Sequence, residues 1–234
     1  MLATGRQYLK GDGSSTAAIV FGGVNTPAAY GQTETFNGST WTEVGDLDTA
    51  RQKIGNSTLG STTASLCFGG SGIDPSPVVA LTETWNGTSW SEVNPLDTAR
   101  QGIGGAGTST AALAIGGGAT GGSPLMNNVE IWNGTSWSES TVINTPGLEF
   151  GSAGTTTSAI IYGGTRPSAC KLTEQWNGTS WTEVADLAVN NQGCGSSGVS
   201  GTSALRIAGY VPPNVTTVDE WNDPVYTIKT VTVS

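Results

Sequence analysis

The sequence predicts an all-β chain, a single domain over residues 1–234, built as a five-bladed β-propeller with four antiparallel strands per blade. Three observations predict it. First, a hairpin unit recurs. Thr82–Val93 reads Thr-Glu-Thr-Trp-Asn-Gly-Thr-Ser-Trp-Ser-Glu-Val, and the same unit stands at Thr33–Val44, Val129–Ser140 and Thr173–Val184, decaying after Asp219. Second, its glutamates, Glu34, Glu83, Glu130, Glu174 and Glu220, follow one another in steps of 49, 47, 44 and 46 residues, periods of propeller-blade size. Third, each of the first four glutamates lies 13 residues before the apolar residue that opens the next unit: Leu47, Leu96, Ile143 and Leu187. Units 1–46, 47–95, 96–142, 143–186 and 187–234 follow from these markers.

Each unit opens on a polar turn that carries an arginine, as in Asp48-Thr49-Ala50-Arg51 and Asp97-Thr98-Ala99-Arg100. A glycine-rich strand comes next, for example Ile103-Gly104-Gly105-Ala106-Gly107. Glycine ordinarily weakens a strand. Around a narrow axis, however, the innermost strands of five sheets crowd together and larger side chains collide. The third segment is an apolar strand ending in two glycines: Ala18–Gly23, Ser65–Gly70, Ala112–Gly117 and Ala159–Gly164. A loop of variable length leads into the Trp hairpin, where Asn-Gly predicts a type I′ turn because both residues tolerate positive φ. Outer tryptophans fill the widening gap between sheets, each burying on the order of 200 Å². Alternating residues over 225–234 are expected to form the last outer strand. The chain then begins and ends in register, and ring closure rests on packing between blades one and five.

The order of arginine turn, paired glycines after an apolar strand and Glu-x-aromatic hairpin closing on Trp resembles the kelch repeat across nearly the whole chain. The wording Asn-Gly-Thr-Ser-Trp, followed by Leu-Asp-Thr-Ala-Arg, is similar to kelch-like repeats in structural proteins of marine bacteriophages. The resemblance implies a first strand at the axis and a fourth outside. It also implies a non-enzymatic structural or binding module, expected to be a virion appendage, tail-fibre or surface-decoration protein assembled in a host cytoplasm. The other settings it allows are a cellular kelch-type interaction scaffold or a lectin, extracellular or cytoplasmic. The chain departs from the pattern where Gly147 and Asn191 take the arginine slot, and in the hairpin after Trp221.

Composition narrows the partners. Nine basic and 18 acidic residues leave a net charge of −9, which opposes nucleic acid and anionic membranes. No apolar run approaches the roughly 20 residues of a membrane span. With no histidine, the copper chemistry of kelch oxidases has no ligands and no metal or other cofactor is expected. Cys67, Cys170 and Cys194 read as small core residues. The four Asn-Gly-Ser/Thr matches to the glycosylation pattern follow from the turn itself. The five glutamates could serve as acids or bases, but one copy per blade fits pairing with Arg6, Arg51 and Arg100. No catalytic constellation is found. Candidate binding residues therefore lie on the variable loops, which emerge on the same face as the arginine turns. They are Tyr30, Pro75, Pro77, Met126, Arg166, Pro167, Tyr210 and Pro212. The expected partners are other virion proteins, or a host-surface glycan or protein.

Overall fold

A computed structural model describes residues 2–73, 76–166, 168–211, 215–222 and 229–231. Five four-stranded antiparallel sheets, each a meander in sequence order, form a five-bladed β-propeller. Blade one comprises Lys10–Gly13, Ala18–Phe21, Thr33–Phe36 and Trp41–Glu43, and blade two Gly55–Asn56, Ser65–Phe68, Thr82–Trp85 and Trp90–Val93. Blade three is Gly104–Thr108, Ala111–Gly118, Leu125–Trp132 and Trp137–Glu139. Blade four is Gly151–Gly154, Ala159–Tyr162, Thr173–Trp176 and Trp181–Glu183. Blade five is Gly195–Ser200, Ser203–Gly209, Val215–Asn222 and Lys229–Val231. Lys229–Val231 pairs with Val218–Glu220; the rest of the strand expected over 225–234 lies outside the described residues.

Glycine follows the crowding at the hub. A Cβ on Gly105 would lie 2.0 Å from the Asn56 carbonyl oxygen of the neighbouring blade. The hairpin differs from a type I′ turn. Strands end at Trp85 and resume at Trp90, so the loop has four residues, and within it only Gly87 takes positive φ, +95°. Asn86 acts through its side chain: Oδ1 accepts from the amides of Thr88 (2.9 Å) and Ser89 (3.0 Å). Asn therefore sits in this loop as an Asx cap.

Alternation along the strands packs consecutive blades face to face. Ile19 and Phe21 of blade one pack on Cys67, Trp85 and Trp90 of blade two. Leu66 and Phe68 pack on Ala112, Ala114, Trp132 and Trp137. Leu113 and Ile115 pack on Ala159, Ile161, Trp176 and Trp181, and Ile160 and Tyr162 on Ala204 and Trp221. Edge-to-face ring pairs Phe21–Trp90 at 4.8 Å and Phe68–Trp137 at 5.0 Å strengthen two of these interfaces. Between blades five and one, no such cluster forms among the described residues. The matching face of blade five leaves Leu205 37%, Ile207 43% and Val199 68% exposed. The expected closure by side-chain packing is thus not seen in the described part of this interface.

The tryptophan N–H groups show why the hairpins carry threonine. Trp90 Nε1 donates to Thr33 Oγ1 (2.9 Å) and Trp137 Nε1 to Thr82 Oγ1 (3.0 Å), each on the preceding blade. The matching position for Trp181 is Val129, which has no hydroxyl, and the buried Trp181 Nε1 finds no acceptor. Val129→Thr, nearly isosteric, is expected to raise stability by about 1 kcal/mol. Thr82→Val should orphan the Trp137 donor and lower stability by about 1–3 kcal/mol. Denaturant melts of both variants check the pair.

Asp12 is buried in the hub strand of blade one. It accepts from Asn56 Nδ2 (2.7 Å), Ser57 Oγ (3.0 Å) and Ser65 Oγ. Desolvation nevertheless raises its pKa above 3.8, outweighing these hydrogen bonds. An acid whose pKa is raised by folding stabilises least when ionised. Stability from this site is therefore full below about pH 4 and is lost as pH rises through the folded pKa. The melting temperature of wild type relative to Asp12→Asn should fall over that window, measured by thermal melts in a pH series.

Candidate functional site

A buried acid on the third strand of each blade faces the preceding blade. Glu83 accepts from Arg51 Nη2 at 2.5 Å, Glu130 from Arg100 Nη1 at 2.5 Å, and Glu174 from Arg166 Nη1 at 2.5 Å. Arg6 Nη2 lies 3.3 Å from Glu34 Oε1. The second carboxylate oxygen takes a backbone amide from the turn into the blade: Ala3 (2.9 Å), Asp48 (2.8 Å), Asp97 (2.7 Å) and Asn144 (2.7 Å). The clamps stitch blades together. Arg51 O accepts from Gly23 N of blade one, while its guanidinium reaches Glu83, Gly69 O and Leu81 O of blade two.

Three expectations need correction here. Cross-strand register sets Trp221 opposite Ala204, as Trp85 is opposite Ser65. Asp219, two residues before Trp221, therefore holds the place of Glu83, and Glu220 belongs to the other face. Asp219 Oδ2 is 2.7 Å from Arg206 Nη2. The slots occupied by Gly147 and Asn191 are not gaps in the ring of charges either. Arg206 reaches its acid from the second strand. Arg166 reaches Glu174 from the loop, over the Phe150 ring at 4.6 Å. The Arg166 side chain is wholly buried, so it is no rim residue: it packs where Gly147 leaves space, since a Cβ there would meet its Cγ at 2.6 Å.

The open site lies on the axis, at the face of the turns and variable loops. Two residues past each arginine slot the backbone takes positive φ in all five blades: Tyr8 (55°), Lys53 (51°), Gly102 (65°), Glu149 (59°) and Gly193 (57°). Backbone bonds run around the axis from Lys53 N to Tyr8 O (3.3 Å), Gly102 N to Lys53 O (2.7 Å), Glu149 N to Gly102 O (2.7 Å) and Gly193 N to Glu149 O (3.1 Å). Among the described residues no bond from Tyr8 N to Gly193 O completes the circuit. Glycine adopts this conformation freely; each of the three side-chain-bearing residues costs about 1–2 kcal/mol there.

These positions surround a cavity of about 630 Å³, lined also by Lys10, Gln192 and Tyr210. A second hollow of about 460 Å³ shares Lys53, Glu149 and Gln192 with it. Tyr8 and Tyr210 are 46% and 52% exposed, and Lys53 Nζ lies 5.4 Å from the Tyr8 ring centroid. Burial lowers the pKa of Lys10, opposed by Cys194, Glu149 and Asp12. Burial also pushes the Cys194 thiol up to about 11 and the Cys67 thiol up to about 12, which leaves both unreactive at neutral pH. No His/Cys/Asp/Glu group able to hold a metal occurs among the described residues.

Of the candidate rim residues that are described, only Tyr210 lines this mouth. Tyr30 is half-buried and Pro77 exposed on their loops, while Met126 is half-buried in the strand Leu125–Trp132, paired with Gly117. Pro75, Pro167 and Pro212 lie outside the described residues. The mouth itself was missed by motif reading. Its signal is the Arg-Gln pair of Arg6-Gln7, Arg51-Gln52 and Arg100-Gln101, which places the residue that follows at the axis. Gln52 Nε2 ties back to Gly72 O at 2.9 Å, and Gln101 accepts from Ser71 Oγ at 2.7 Å.

Removing one member of a buried pair strands the other charge, so Arg166→Ala is expected to cost about 3–5 kcal/mol. Gly147→Arg, added to that variant, supplies a guanidinium from the turn as in blades two and three and should recover part of the loss, less the cost of shifting the Thr165 carbonyl and Phe150 ring, each 2.9 Å from a Cβ there. Denaturant unfolding of the single and double variants measures both steps.

No protein-family model matches the chain, and no curated protein matches it.

Proposed function

We propose that the protein is a non-catalytic recognition module of a virion surface, an appendage, tail-fibre or decoration protein that docks through its loop face. The observation that carries this reading is the contrast between the two faces of the ring. One face collects the turns, the loops of unequal length and the axial mouth. On the other, one four-residue hairpin loop recurs, capped alike at Asn37, Asn86, Asn133 and Asn177, beside the turns between the first and second strands. Variation on a rigid frame is the usual arrangement of a binding surface.

Three further features support it. The buried acids Glu34, Glu83, Glu130, Glu174 and Asp219 are each held by an arginine, an arrangement that suits scaffolding better than proton transfer. A net charge of −9 suits a solvent-exposed particle component. The Asn-Gly-Thr-Ser-Trp repeats resemble those of phage structural proteins. Many copies on one particle would add weak single contacts through avidity.

Mass spectrometry and antibody labelling of purified particles are expected to find the chain on the virion surface. Purified protein, added first, should reduce adsorption of particles to host cells. Absence from particles, with recovery in complexes of soluble cellular proteins, would favour a kelch-type interaction scaffold instead.

A further inference from the structure

We propose that the axial mouth is a carbohydrate site that takes a neutral terminal pyranose. The inference rests on the loop face being the docking face and assigns a ligand class to one place on it. Its starting point is the backbone. The fold requires positive φ at five equivalent hub positions, and Gly102 and Gly193 meet that requirement without side chains. The backbone circuit runs through Gly102 with bonds of 2.7 Å on both sides. The backbone circuit therefore needs no side chain at these positions. Tyr8, Lys53 and Glu149 nonetheless carry theirs in the left-handed region, and all three line the same cavity. Strained side chains gathered at one cavity mark a site that serves something other than folding.

The chemistry of the lining selects the ligand class. Tyr8 and Tyr210 expose ring surface, suited to the C–H face of a sugar. Lys53 and Lys10 are donors only, Glu149 accepts only, and Gln192 does both. A hydroxyl donates and accepts at once, so a ring of hydroxyls can satisfy all three kinds of partner. At the mouth Lys53 and Glu149 balance each other's charge and burial shifts Lys10 toward its neutral form, so the lining holds little excess charge for a carboxylated sugar to meet. A cavity of about 630 Å³ lies within the range that holds a small ligand, roughly 300–1,000 Å³.

The same backbone argument designs the test. Tyr8→Gly, Lys53→Gly and Glu149→Gly relieve left-handed strain while removing the three strained side chains that line the mouth. The triple variant is expected to melt at or above the wild-type temperature. On an array of neutral and acidic glycans, wild type should bind neutral termini. Titration of methyl hexopyranosides followed by saturation-transfer NMR should show at least about a tenfold loss of affinity in the variant. Unchanged sugar binding by the triple variant, binding confined to acidic glycans, or no glycan binding by wild type would overturn the assignment. If the variant also melts far below wild type, the side chains serve the fold and the assignment again fails. Adsorption to host cells separates this result from the wider reading: a variant that still competes with particles refutes the sugar site and leaves loop-face docking standing.

Discussion

The constraint on which the molecule depends is electrostatic: every blade places a carboxylate in the dry seam against its neighbour. An unpaired ion there costs several kcal/mol, so each seam must bring a guanidinium to the same point. Three different routes do so. Arg6, Arg51 and Arg100 come from the turn, Arg166 from the loop after the second strand, and Arg206 from the second strand itself. The location of the charge is kept in space while its position along the chain moves. Because Glu34, Glu83, Glu130 and Glu174 also cap turn amides, the clamp ties the start of each of these turns to the seam.

That tie explains the division of labour between the faces. The clamped turns hold the positive-φ residues in a ring, and the backbone bonds between them need no side chains. The residues at these positions therefore vary, from Gly102 and Gly193 to Tyr8, Lys53 and Glu149, at the cost of local strain in the last three. On the far side, the Asn-capped loops take up each blade's return and repeat almost without change.

The fold was legible in the sequence because its markers recur in phase. The constant 13-residue interval after each of the first four glutamates reflects a hairpin and connector of fixed geometry. What spacing could not resolve was a choice between adjacent acids. Asp219 and Glu220 satisfy the ruler equally well, and only the pairing of Trp221 with Ala204 decides between them. Arg166 looked like a loop residue because it is one; its burial depends on Gly147 vacating the space, a contact 19 positions away in sequence. The mouth was hidden for another reason. The sign of φ is not written in residue type when Tyr8, Lys53 and Glu149 occupy positions that Gly102 and Gly193 fill with ease.

The seam between blades five and one ties these points together. Leu205 and Ile207 stand where Leu113 and Ile115 stand two blades earlier, with the same alternation, yet the first pair is over a third exposed and the second wholly buried. Pattern alone therefore does not bury a face; a partner at packing distance does. The longest of the five acid–arginine contacts, Arg6 to Glu34 at 3.3 Å, is the one on the blade-one side of this seam. The gap in the axial hydrogen-bond circuit, between Gly193 and Tyr8, falls at the same place. Tyr8 and Tyr210 belong to the two blades that flank it. The interface with the least packing among the described residues is thus also the one that contributes both exposed aromatic rings to the mouth.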